Sequence, residues 1–158
     1  MKTRSFAPAL ALILAACAQD ARPAHGMVMA TTIVITNSGG TNLIGYRVLI
    51  TPEGKASYVS GEGSGEAVLP AAMRDRLMRD IAAAKPLAQL PGGRSCMKPV
   101  SFGTSTYIAV GGDRSPDLSC PGNDATQALE NDVAAITATL HVRNVPRSQG
   151  HELPPVNY

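Results

Sequence analysis

From Thr31 the chain carries a run that is β-branched at every position, Thr31-Thr32-Ile33-Val34-Ile35-Thr36, and this predicts a strand. Ser38-Gly39-Gly40-Thr41-Asn42 breaks it. Residues Leu43 to Thr51 alternate again, with Tyr46, Val48 and Ile50 on one face, and predict a second strand. Thr51-Pro52-Glu53-Gly54 is a turn in which Pro sets φ and Gly takes the left-handed position, so Lys55 to Ser60 returns as a third strand. Gly61 to Glu66 has no alternation and is expected to be a mobile connection. From Leu69 to Lys85 the period changes: Leu69, Met73, Leu77 and Ile81 recur every four residues and make one helical stripe. Pro70 suits the first turn and Pro86 stops the helix. Asp75 with Arg79, and Arg76 with Asp80, stand at i,i+4 and would pair along its surface.

Beyond an irregular segment, Pro86 to Thr104, the period of two returns at Ser105 to Gly111. Gly111-Gly112-Asp113 would turn the chain into a short strand at Leu118 to Cys120. Asp124 with Gln127 has the spacing of a capping box, and Leu129, Val133, Ile136 and Leu140 form the stripe of a second helix ending near Arg143. The order βββαββα predicts an α+β domain: a small antiparallel sheet with both amphipathic helices on one face. The domain is expected over residues 30–143. The tail, 144–158, carries Pro154-Pro155 and is expected to be extended or without fixed structure.

The first 29 residues follow a different logic. Lys2 and Arg4 precede an apolar stretch, Phe6 to Ala16, that is too short to span a bilayer, which takes about 20 residues. Leu14-Ala15-Ala16-Cys17 resembles the lipobox of bacterial lipoproteins at all four positions. The resemblance implies that residues 1–16 are a signal peptide and that Cys17 receives a diacylglycerol on its sulfur. Cleavage would leave Cys17 as the first mature residue. Ala18 after the cysteine resembles lipoproteins sent to the outer membrane, facing the periplasm. Residues 17–29, polar with Pro and Gly, would be the tether.

Removing the signal changes the composition. The full chain has 14 basic and 12 acidic residues; losing Lys2 and Arg4 leaves 12 against 12. With no basic run, no Trp and Phe102 as the mature chain's sole Phe, a nucleic-acid partner is not expected. Three cysteines become two once Cys17 is modified, and Cys96 and Cys120 then form an even pair in an oxidising compartment. A disulfide follows as the default.

Chemistry-bearing residues are sparse. A hydrolase needs a nucleophile, a base and an orienting group, and of the three histidines His25 lies in the tether and His151 in the tail. His141, one residue past the stripe of the second helix, is the remaining base. Asp113, Asp117 and Asp124 surround Cys120 but match no calcium-loop spacing; turn and cap roles are expected for them. Arg94 and Arg114 would be solvated. Glycines at 61, 63 and 65 lack the Lys-Ser/Thr of a phosphate loop. No cofactor and no metal is implied.

Ser38-Gly39-Gly40, then a sheet hairpin, a helix, a Tyr-containing strand and a final helix, resemble the emfourin-like bacterial protease-inhibitor family in element order. The two cysteines and the long segment before Tyr107 depart from that pattern. The resemblance implies that the loop Ser38, Gly39, Gly40, Thr41 and Asn42 meets a protein partner in the envelope. The leading expectation is therefore a non-enzymatic lipoprotein, attached to the membrane by its lipid and presenting a binding domain to an unidentified envelope protein. A protease inhibitor is the second, and a small hydrolase or metal-dependent enzyme the third.

Overall fold

The computed structural model describes residues 31–93 and 96–154. Residues 1–30, among them the expected signal segment, Cys17 and the expected tether with His25, lie outside the described residues, as do Arg94, Ser95 and the last four residues. The chain forms β1 (Ile33–Asn37), β2 (Leu43–Ile44), β3 (Tyr46–Ile50), β4 (Lys55–Ser60), β5 (Gly63–Val68) and α1 (Ala71–Ala84). A 3-10 turn (Leu87–Gln89), β6 (Thr106–Val110), β7 (Asp113–Arg114), α2 (Asp124–Thr139) and β8 (Val145–Pro146) follow. Six strands make one antiparallel sheet in the order β5-β4-β3-β1-β6-β7, and β2 pairs with β8 in a second, two-stranded one. The α+β fold is thus as the periodicity predicts.

Both helices cover one sheet face. Ile33, Ile35, Val48, Ile50 and Ile108 meet Leu77, Ile81, Leu129, Val133 and Ile136 in a single aliphatic core. Ile35 sits between Val48 and Ile108 on the neighbouring strands, so the alternation of three strands converges on one row. The opposite face carries Val34, Thr36, Arg47, Leu49, Val59, Tyr107 and Ala109, all partly or well exposed.

Four details depart from the sequence reading, each for a physical reason. The strand expected over Leu43 to Thr51 is broken at Gly45, where the chain changes partner from β8 to β1. A Cβ there would lie 2.0 Å from the Asn37 carbonyl oxygen and 2.5 Å from the Gly39 nitrogen, so the crossing of two backbones requires glycine. Gly61 to Glu66 is no mobile connection: Gly61 and Glu62 turn the chain and β5 begins at Gly63. Its missing alternation reflects an edge position, and Gly65 carries the Tyr58 ring, whose hydroxyl stands 2.4 Å from where a Cβ would be.

The strand expected at Leu118 to Cys120 is a turn; β6 pairs instead with Asp113–Arg114 across Gly111-Gly112, whose φ angles of +59° and +87° suit a tight hairpin. Pro116 then ends the ladder, and side chains take over its hydrogen bonds. The Ile108 N–H donates to Ser115 Oγ (3.0 Å) and the Thr106 N–H to Asp117 Oδ1 (3.0 Å). Finally, the tail folds back: Val145 is buried beside Ile44, the Arg147 N–H donates to the Asn42 carbonyl, and the His151 N–H donates to that of Gly61. The domain therefore runs past residue 143.

The helices are also tied differently. The cap of α2 is Asn123 with Thr126, one residue before the expected box: Asn123 Oδ1 accepts from the Thr126 N–H (2.9 Å), and Thr126 Oγ1 from the Asn123 N–H (3.0 Å). The expected pairs within α1 give way to Arg74 with Asp75, and to Arg76 reaching across to Asp132 on α2 (2.5 Å).

Candidate functional site

The Ser38–Asn42 loop and the segment 96–105 form one end of the sheet together. Asn37 fixes the first of them. Its amide donates to Thr106 Oγ1 (2.9 Å) and Thr104 Oγ1 (3.2 Å), while its Oδ1 accepts from the Gly39 N–H (2.9 Å). This is the side-chain-to-backbone closure two residues on that asparagine favours, and it lets Gly39 take φ +66°. Ser38 and Ser105 exchange backbone and hydroxyl hydrogen bonds, and Ser38 Oγ also donates to the Gly39 carbonyl. Thr41 Oγ1 donates to the Val100 carbonyl, and the Asn42 N–H to that of Ser101. Behind, Arg147 Nε donates to the Thr41 carbonyl. The predicted partner loop is thus pinned from three sides.

The second segment is held just as firmly. Cys96 and Cys120 form the disulfide, Cα to Cα 5.7 Å, closing 24 positions of chain. On the chain-entropy model such a loop stabilises the fold by roughly 3 kcal/mol. Lys98 turns inward, forms an ion pair with Asp117, and donates to Thr104 O (2.5 Å), Ser105 Oγ (3.0 Å) and Ser119 Oγ (3.2 Å). Asp117 also accepts from the N–H groups of Thr106 and Ser119. Partial burial opposes its charge, but the donors from Lys98, Ser119, Ser105 and Thr106 prevail and hold its carboxyl down at about 2.

Between these fixed points the chain turns outward. The Gly103 N–H donates to the Pro99 carbonyl (2.7 Å), and the turn displays Met97, Val100 and Phe102 at 98%, 90% and 59% exposure. Among the described residues the large exposed apolar side chains are Leu49, Val68, Met78 and these three, so half of them fall within six consecutive positions. Such clustering on a braced loop points to a binding surface. Lys98, Asn37 and the apolar turn were not singled out in the sequence. Asn37 carried a signal, an Asn two residues ahead of a turn glycine; the others carried none, because their partners lie far along the chain.

The remaining candidates have local roles. His141 takes φ +54° at the end of α2, where the Val142 N–H returns to the Thr137 carbonyl and the His141 N–H to that of Ala138. This is the helix-ending motif that usually uses glycine. The open depression beside it is lined by Glu62, Thr137, Ala138, Val142 and Arg143, without Asp113 or Asp117. Asp113 accepts from the N–H groups of Leu87 and Ala88, holding the 3-10 turn, and Asp124 begins α2. Arg114 stacks on the Tyr107 ring at 3.8 Å. Among the described residues no group of three His, Cys, Asp or Glu side chains could hold a metal, and no helix is long and apolar enough to cross a membrane. No family model and no curated protein matches the chain.

Proposed function

We propose that the protein is a lipid-anchored lipoprotein of the bacterial envelope whose domain presents an interaction surface built from Ser38–Asn42 and the 97–103 turn. The observation that carries this reading is the full exposure of Met97 and Val100, with Phe102 beside them, on a segment held by a disulfide and an inward-facing lysine. A mobile loop would fold such side chains against the body of the domain. A braced one keeps them in water, at a cost that binding recovers.

The test is site-specific photo-crosslinking in intact cells. A photoreactive residue at Val100 is expected to give adducts to envelope components, and one at Met78, on the helical layer, none. Equal labelling from both positions, or from neither, would remove the surface. A second reading, an envelope protease inhibitor, draws on the pinning of Ser38–Asn42, since a stiff loop resists cleavage when it occupies a protease cleft. Titration against secreted metalloproteases decides it: no inhibition at micromolar excess sinks the idea.

A further inference from the structure

We infer that the occupant of the 97–102 turn is the bilayer itself: Met97, Val100 and Phe102 seat among the acyl chains of the membrane. This rests on the reading of the turn as an interaction surface and names its partner class.

Shape comes first. The three side chains are exposed within six positions of a turn closed by the Gly103-to-Pro99 hydrogen bond. A protein partner would need a matched pocket to bury them, whereas a fluid hydrocarbon layer closes around any apolar protrusion. Charge points the same way. Lys98 is the sole ionisable residue of the 97–103 segment, and it is withdrawn from the tip by Asp117, Thr104, Ser105 and Ser119. The tip therefore enters a bilayer without carrying a bare charge with it, the step that makes insertion costly. Stiffness adds to both: the disulfide at Cys96 and the bonds from Thr41 and Asn42 to the Val100 and Ser101 carbonyls fix the backbone of the turn while its apolar side chains stay exposed.

Reach is sufficient. The chain enters β1 at the end opposite the turn, and β1 is about 17 Å long at ~3.3 Å per residue. The roughly thirteen residues between Cys17 and Thr31 span up to about 45 Å when extended. A domain anchored at Cys17 can therefore lay its far end on the same membrane. The anchor makes that contact intramolecular, so weak insertion of three side chains suffices to orient the domain.

The chain has no Trp, so Phe102→Trp installs a unique fluorophore at a position already well exposed. The full lipidated protein is reconstituted in vesicles of phosphatidylethanolamine and phosphatidylglycerol, with and without brominated acyl chains. Expected is a blue-shifted emission relative to detergent-free soluble domain, and loss of most of it to bromine. Val100→Trp should respond alike, and Met78→Trp should stay unquenched. Unshifted, unquenched emission from both turn positions overturns the inference. If the shift appears only on adding envelope proteins without lipid, the bilayer is the wrong occupant while the interaction surface stands.

Discussion

Asp117 offers the sharpest handle on how the turn is held. Asp117→Asn keeps an oxygen for the N–H groups of Thr106 and Ser119 but removes the charge facing Lys98. The carboxyl titrates at about 2, against 3.8 in an unstructured chain. At about 1.4 kcal/mol per unit this difference would be worth roughly 2.4 kcal/mol. A quarter of the side chain remains exposed to water, and screening reduces the figure to about 1–2 kcal/mol. Because the folded value is the lower one, this stability is fully present above about pH 4 and is lost as pH falls towards 2. Urea unfolding of both proteins at intervals between pH 7 and pH 2 measures it. At pH 7 the variant should be less stable by about 1–3 kcal/mol, the range for losing a charged hydrogen-bond partner. The gap should close to a few tenths at pH 2. A gap that stays constant with pH would show that the charge does not hold the turn, and the reasoning about its stiffness would fail.

Gly45→Ala should lower the unfolding free energy from urea titration by about 3 kcal/mol or more, since its Cβ would stand 2.0 Å from a backbone oxygen; a loss under about 1 kcal/mol would mean the crossing relaxes freely. His141→Gly should leave the protein as stable or raise it by up to ~1 kcal/mol, because φ +54° suits glycine better; a marked loss in thermal unfolding would assign the imidazole a packing role. Asp132 is 1% exposed with one oxygen unpartnered, and its carboxyl titrates above the ordinary range: burial pushes it up, Arg76 pulls down, and Asp80 pushes up again. The raised value means its contribution is present at low pH and lost as pH rises through it. Asp132→Asn should therefore match or exceed the native stability at pH 7, with the advantage vanishing near pH 3. A loss above about 2 kcal/mol at pH 7 would show that pairing with Arg76 outweighs burial.

What the sequence made legible follows from range. The alternation of Ile33 and Ile35, the Pro52-Gly54 turn and the stripe from Leu129 to Leu140 are each set by neighbours within a few positions, and each appears in the fold. The disulfide was legible by parity: setting Cys17 aside on its resemblance to a lipobox cysteine leaves two. Gly45 was not, because the close approach of the Asn37 and Gly39 backbones that demands glycine arises at a change of strand partner, and one of those partners, Val145, lies a hundred positions away. Nor was Lys98, one of four lysines in the chain and without a partner close in sequence, until Asp117 draws it in across 19 positions. β5 escaped because an edge strand with glycines at 63 and 65 buries too little to alternate. The Ser38–Asn42 loop was found as a motif, but its neighbour, the apolar turn, was hidden in a segment with no period at all.

The anchor is tested most directly by the mass of the mature N-terminal peptide, recovered from the membrane fraction of the native host. A lipobox at Leu14 to Cys17 predicts a peptide that begins at Cys17 and carries a thioether-linked diacylglycerol on its sulfur. A peptide beginning elsewhere, or Cys17 with an unmodified thiol, would contradict it.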